Sequence, residues 1–418
     1  MGCREHGEKM SSEASMESIP EHISPDRFIP FDFRLDPQVR TDPWGFFHSA
    51  NELPDIFYSP SLGGHWVIAR AALLAEAWSR PDLFSAESVS VPKIESPFRL
   101  IPNNLDPPEH RPYQQIFTRE MFGPRIVQSL SDDFRQMTRD RIDSFFGQGG
   151  CDFNAEYARP LPVQIFLQMI GVPISRREDF DDSIERVFRG TTPEMVFQGM
   201  TGVAGLLDAW LDEEMADRHA PRKAHMLAAM LTAKVEGRLL DKNELSSMAT
   251  MLMLGGLDTV SSATLHQMLY LARNPEMRQQ LINDPGLIPN AVEELLRRFS
   301  APNVGRMARK DFEFHGVRIK QGEMVLFSTS IVGLDESRFS NALEVDFNRK
   351  GLKKDSLSFG TGVHMCSGHH LARAELRITL EEVLPRLENL RVSDGAEIEY
   401  ASGGTVTITG SLPLEWDV

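Results

Sequence analysis

Phe359-Gly360-Thr361-Gly362-Val363-His364-Met365-Cys366-Ser367-Gly368 decides how the rest of this chain is read. The stretch holds one of only three cysteines in 418 residues, the others being Cys3 and Cys151. It runs into His369-His370-Leu371-Ala372-Arg373-Ala374-Glu375-Leu376, whose apolar positions recur at helical spacing. A thiol at that helix entrance faces free backbone N–H groups and the positive end of the helix dipole, both of which favour the thiolate. Gly362 and Gly368 allow tight turns and close approach to a flat ligand. Cys366 is therefore a candidate metal ligand. Two plainer readings stand beside it. A lone cysteine is commonly a small buried hydrophobe. The neighbouring His364, His369 and His370 suggest zinc, but a structural zinc site needs four ligands at recognisable spacing, and this thiol is isolated from the other two.

Two further segments carry information. Periodicity predicts a helix from Asp241, a good N-cap, to Arg273, stopped by Asn274-Pro275. At 1.5 Å per residue it is about 50 Å long, enough to cross a large domain. Its middle reads Gly255-Gly256-Leu257-Asp258-Thr259. Each glycine there costs roughly 1 kcal/mol relative to alanine, so the pair implies a packing or ligand reason. Gly255 and Thr259 share a face, where a widened groove beside a hydroxyl has room for dioxygen and water. Helix packing beside an ordinary Asp-Thr pair is the plainer alternative. In Glu293-Glu294-Leu295-Leu296-Arg297-Arg298, Glu294 and Arg297 lie three apart and can pair. On an exposed face such a pair contributes under about 1 kcal/mol.

The pattern Phe359-x-x-Gly362-x-His364-x-Cys366-x-Gly368 resembles the haem-binding signature of the cytochrome P-450 superfamily, the haem-thiolate monooxygenases. Ser367 departs from the apolar residue usual there. Gly255-Gly-Leu-Asp-Thr259 and Glu294-x-x-Arg297 resemble the same family's oxygen-activating segment and buried core pair. The resemblance spans roughly residues 20 to 418. It implies a mainly α fold with a small β region, a triangular prism of helices around haem b (iron protoporphyrin IX). It makes Cys366 the metal ligand, with Phe359, Gly362, Gly368 and Gly255 against the cofactor. Thr259 and Asp258 become the residues that deliver protons to O2, and Glu294 and Arg297 become structural, with Arg349 a third partner. Thiolate ligation favours O–O cleavage. Haem propionates call for cations, and the family's pattern implies His110 in Asp106-Pro-Pro-Glu-His110, then Arg306 and His364. Gln114 stands where the family generally has a further arginine, which removes one propionate contact.

Composition agrees with that reading. No apolar run reaches about 18 uncharged residues, so no membrane span is expected. The charged N-terminus lacks a signal-peptide core, and three cysteines do not make a disulfide framework. A cytoplasmic monomer is expected: a mobile tail over residues 1–20, then one catalytic domain over 21–418. The net charge of −16 argues against nucleic acid as a partner. Arg111, Lys353 and Arg373 match positions on the family's proximal face, where an acidic ferredoxin docks. Strands are expected at Gly64–Arg70, across Val304–Leu326, and across Glu397–Leu414 around a Ser402-Gly-Gly404 turn. A helix is expected over Ala71–Trp78, and helices dominate Glu109–Phe299. The proline-rich residues 84–104 form a candidate substrate lid.

Phrases such as Asp106-Pro-Pro-Glu, Phe314-His-Gly-Val317 and Leu412-Pro-Leu-x-Trp416-Asp are similar to the bacterial camphor hydroxylase class. Phe98 replaces that class's tyrosine hydroxyl, and Val304 replaces an acid. Met251, Leu254, Gly255, Pro302, Gly404 and Thr405 complete the implied substrate pocket. Loss of a hydrogen-bond donor weakens selection for a ketone. The expected reaction is hydroxylation of a small apolar, terpenoid-like molecule, with electrons from NAD(P)H through a reductase and a [2Fe-2S] ferredoxin. A non-catalytic haem-thiolate sensor and a peroxide-driven peroxygenase are the alternatives. A sensor has no need of the Gly255, Asp258 and Thr259 set.

Overall fold

The computed structural model describes residues 19–93, 99–189, 192–220, 224–402 and 406–418. Residues 1–18 of the expected tail, and Phe98, Gly404 and Thr405 of the expected pocket, lie outside the described residues.

The long central helix spans Lys242–Arg273, matching the expected limits. Its start is fixed locally. The Asp241 carboxylate accepts from the Glu244 N–H at 2.9 Å, and Glu244 accepts in return from the Asp241 N–H at 2.7 Å. This reciprocal cap satisfies two otherwise free donors. The Glu244 carboxylate also takes two 2.7 Å bonds from Arg238 and one of 2.5 Å from the Tyr113 hydroxyl. Arg238, above all, holds that carboxyl down to about 2. Both ends of the helix are sheathed in apolar side chains of the main core, from Leu245 and Met248 to Met268 and Leu271. Gly255 and Gly256, midway, are exposed. Leu252, Met253 and Leu257 beside them stay in the core, so the helix is open on one face there.

Helices dominate 110–298, as expected. One departure follows His110–Gln115: the backbone widens into a π-type turn over Ile116–Met121 and restarts at Pro124–Ser129. The proximal helix, His369–Val383, packs on the central helix and on Ser131–Phe145. Arg135 and Arg139 of the latter both bind Glu382. A five-stranded sheet runs in the order Ile56–Ser59, His65–Ile68, Met324–Ser328, Asn303–Ala308, Phe84–Ser85. Only the pairing of His65–Ile68 with Met324–Ser328 is parallel. The expected helix Ala71–Trp78 follows the second strand directly. The expected C-terminal strands form the antiparallel pair Tyr400–Ser402 and Thr407–Thr409. No helix among the described residues is long and apolar enough to cross a membrane.

The helix Ile288–Arg298 joins these layers. Glu294 and Arg297 are both 0 % exposed and pair twice at 2.8 Å. The remaining Arg297 donors go to the carbonyls of Gly333, Ala342 and Glu344, and Arg349 Nε reaches Glu294 at 3.0 Å. Every strong hydrogen-bonding group of the pair is satisfied, which a buried ion pair requires.

Glu375, on the proximal helix, has the opposite surroundings. It is 6 % exposed, its Oε2 has no partner, and burial pushes its carboxyl up to about 8. It is therefore a neutral acid at pH 7. Unfolded, it ionises near 4.5. Between these values the unfolded chain binds fewer protons than the fold, so stability falls as pH rises from about 4.5 to 8. The full difference corresponds to roughly 5 kcal/mol. Urea unfolding of the parent and of Glu375→Gln at pH 5, 6.5 and 8 should show the parent losing roughly 3–5 kcal/mol relative to the variant across that range. Parallel pH profiles would show that Glu375 ionises freely in the fold.

Candidate active site

Three hydrogen bonds set the thiol loop. Gly360 N–H donates to Leu357 O at 2.8 Å, Met365 N–H to Gly362 O at 3.2 Å, and Cys366 N–H to Phe359 O at 3.0 Å. Gly362 has φ +70°, and a Cβ there would stand 2.7 Å from the Trp78 carbonyl oxygen. Only glycine meets both constraints. A Cβ on Gly368, which caps the proximal helix, would lie 3.9 Å from the Cys366 sulfur.

Cys366 is open to solvent yet surrounded by protein atoms, the signature of a cleft wall. The helix-end expectation for its thiol is corrected here. Burial is the larger effect and pushes the thiol up, while the Gly368 N–H and the Arg373 charge act the other way. A thiol so placed becomes a thiolate only against a strong positive partner such as a metal ion.

Arg373 is partly exposed and tethered. It binds Glu293 at 2.5 and 3.1 Å, reaches His369 Nδ1 at 2.6 Å, and lies 4.3 Å over the Phe359 ring. Glu293 is 4 % exposed. Sequence reading passed it over because, next to Glu294, it looks like an ordinary helix charge. Arg111 and Lys353 are exposed.

The structure brings His110, His364 and Arg306 together. The two imidazole centroids are 4.2 Å apart, and Arg306 is close enough to depress both rings. Burial, the main cause in each case, lowers His110 to about 4, His364 to about 2 and Arg306 to about 10. His364 Nε2 is buried with no partner. Three bases crowded without a directly bonded carboxylate form a socket for an anion. Gln114 donates to Val363 O at 2.5 Å, so the side chain in place of the family's arginine braces the thiol loop beside His364. These residues fit haem: a thiol on the cleft wall, glycines that leave room for a flat ring, and an orphaned base where propionates need donors.

On the central helix, Thr259 Oγ1 donates to Gly255 O at 3.1 Å. A Cβ on Gly255 would sit 2.8 Å from Met251 Cε, and one on Gly256 would meet open space. Met251, Leu254, Asp258 and Thr259 are half-buried around this opening. Pro302, bridged to Val406, and Val304 are likewise half-buried.

The cytochrome P450 family model matches residues 183–285 and 282–399. A probable cytochrome P450 127A1 from Sinorhizobium fredii is 31 % identical over 409 residues, covering 95 % of this chain and 97 % of that one. Pentalenic acid synthase from Streptomyces avermitilis is 30 % identical over 75 % of this chain and 77 % of its own. The crystal structure of CYP101J2 superposes with a TM-score of 0.86 at 30 % identity, over 96 % of this chain and all of that one. CYP101C1 gives 0.87 at 29 % identity over the same shares. The chain belongs to the cytochrome P450 family and is a P450 monooxygenase.

Proposed function

We propose that this enzyme hydroxylates a small apolar, terpenoid-like substrate, using haem b ligated by Cys366 and electrons relayed from NAD(P)H by a reductase and a [2Fe-2S] ferredoxin. The observation that carries the reading is the exposed Gly255–Gly256 step on one face of the central helix, with the Thr259 hydroxyl donating to the Gly255 carbonyl. Haem supplies O2 activation when bound. His110, His364 and Arg306 would hold its propionates, and Phe359, Gly362, Gly368 and Gly255 would leave room for its flat ring. Neutral imidazoles at that socket accept a proton when the propionates arrive, which strengthens both partners.

The chain's own residues order the proton traffic. Asp258 donates toward the groove, and Thr259 holds the accepting water by alternating its hydroxyl between Gly255 O and that water. Met251, Leu254, Pro302 and Val304 present apolar surface, so a compact hydrocarbon excludes water from the groove at little polar cost. Phe98, Gly404 and Thr405 complete the pocket in this reading. Exposed Arg111 and Lys353, with the partly exposed Arg373 held by Glu293, receive the acidic ferredoxin.

The test is spectroscopic. The reduced CO complex of the loaded protein should show the thiolate-type Soret band, and Cys366→Ser should lose it. In a terpenoid panel, apolar cyclic ethers and hydrocarbons should give the largest high-spin shifts. Camphor binding far tighter than every apolar analogue would overturn the substrate assignment. Thr259→Ala should lower product formed per NADH consumed by roughly tenfold while leaving substrate affinity intact. Unchanged coupling would remove Thr259 from proton delivery.

A further inference from the structure

Between the helices Ser131–Phe145 and Pro160–Ile170 lies an open trough of about 590 Å³. None of its lining residues belongs to the site described above. Helical spacing builds it. Met137, Asp140, Arg141 and Ser144 share one face of the first helix, and Gln164 and Gln168, four apart, share a face of the second. Buried Val172, just past the second helix, joins Met137 as the apolar part of the wall. Charges around the trough are mostly paired. Arg139 binds Glu382, Arg386 binds Asp143, and Asp140 accepts from Gln136 at 2.7 Å. Arg141 is the exception. It is half-buried, and its guanidinium has no hydrogen bond or ion pair among the described residues. Burial depresses it, the charge of Arg177 adds to that, and Glu156 opposes both without pairing. Arg177 opens the next helix, Arg177–Arg189; one of its nitrogens meets Asp181 at 3.5 Å, and its buried Nε has no partner. The Gln164 amide is also unbonded among the described residues, and Gln168 reaches Asp133 only at 3.5 Å.

A partly desolvated guanidinium without a counter-charge is unfavourable, and a bound anion offsets it. The planar fork of Arg141 matches a carboxylate, and two side-chain amides beside it can donate to the same group. Asp140 on the wall repels a second negative charge. Met137 and Val172 call for a hydrocarbon body, and the volume lies in the range of small-molecule sites. We propose that this trough binds a small monocarboxylate with an apolar body, its carboxylate on Arg141 and the amides of Gln164 and Gln168 and its hydrocarbon on Met137 and Val172. The first of the two helices packs on the proximal helix and the second on the central helix. The occupant therefore touches the supports of both helices that carry the site, without entering the haem cleft. The inference stands whether or not the substrate assignment above does.

Octanoate is the probe, and the haem-loaded enzyme is the sample. Calorimetry at low salt should find a site that fills without a change in haem spin state. Its affinity should fall about tenfold or more in Arg141→Gln and in Gln164→Glu, and recover at least in part in Arg141→Lys. Neither side chain is bonded to the protein, so both variants should melt with the parent. 1-Octanol should bind at least about tenfold more weakly than octanoate at that site, and added salt should weaken octanoate. Parent-like octanoate binding in Arg141→Gln overturns the proposal, as does binding seen only together with a spin-state change, which places the ligand in the haem cleft. A dimer of the parent that Arg141→Gln abolishes would assign the trough to a second copy of the chain and overturn the proposal equally.

Discussion

The buried pair Glu294–Arg297 is the constraint on which the site's geometry depends. Five Arg297 contacts converge on one guanidinium, two of them to Glu294 and three to carbonyls drawn from residues 333–344. Removing either partner would strand a desolvated charge, which costs about 3–5 kcal/mol. The same short helix then reaches outward. Asn290 holds the carbonyls of Phe347 and Arg349, the Leu296 carbonyl accepts from Ser358 at 3.0 Å, and Glu293 holds Arg373 on the proximal helix. The segment bearing Cys366 is thus clamped on both flanks to a helix that contributes nothing to the chemistry.

That rigidity lets the cleft tolerate an arrangement unfavourable by itself. His110, His364 and Arg306 are each depressed by burial, so crowding them destabilises the protein until an anion arrives. Cys366 is raised by burial and stays protonated until a cation arrives. The two strains have opposite sign. A ligand with carboxylates at its edge and a metal at its centre relieves both, and its binding energy becomes stabilisation of the fold. Binding and folding are coupled through charge as well as contact area.

What was legible in the sequence follows from how local each signal is. The central helix matched its expected limits because Asp241, Glu244 and Asn274 act within a turn of themselves. Ala71–Trp78 was read equally well. Gly362 of the thiol loop was readable because a positive φ and a close carbonyl leave no alternative, whereas Gly368, at φ −82°, meets no such constraint. The strength of burial was not legible. Helix-end reasoning placed Cys366 on the acidic side, whereas the surrounding protein wins. The bond from Arg373 to Glu293, 80 residues earlier in the chain, was likewise not legible. Glu375 read as one more acid on a charged helix, and only tertiary packing leaves it neutral. The π-type turn at Ile116–Met121 also lacks a periodic signature.

The two faces of the cleft therefore differ in how freely they can change. The thiol side is fixed by backbone hydrogen bonds, glycine dihedrals and buried ion pairs, where one substitution disturbs several partners at once. The groove side, as proposed, presents apolar side chains, where a methylene gained or lost would change binding by only about 1–3 kcal/mol. Met251 shows the distinction within a single helix. Its terminal methyl lies 2.8 Å from where a Gly255 Cβ would be, so a side chain at position 255 would displace that flexible end. If the proposed groove holds the substrate, its preference would be retuned at Met251, Pro302 or Val304, whereas the Thr259 hydroxyl is tied to the Gly255 carbonyl.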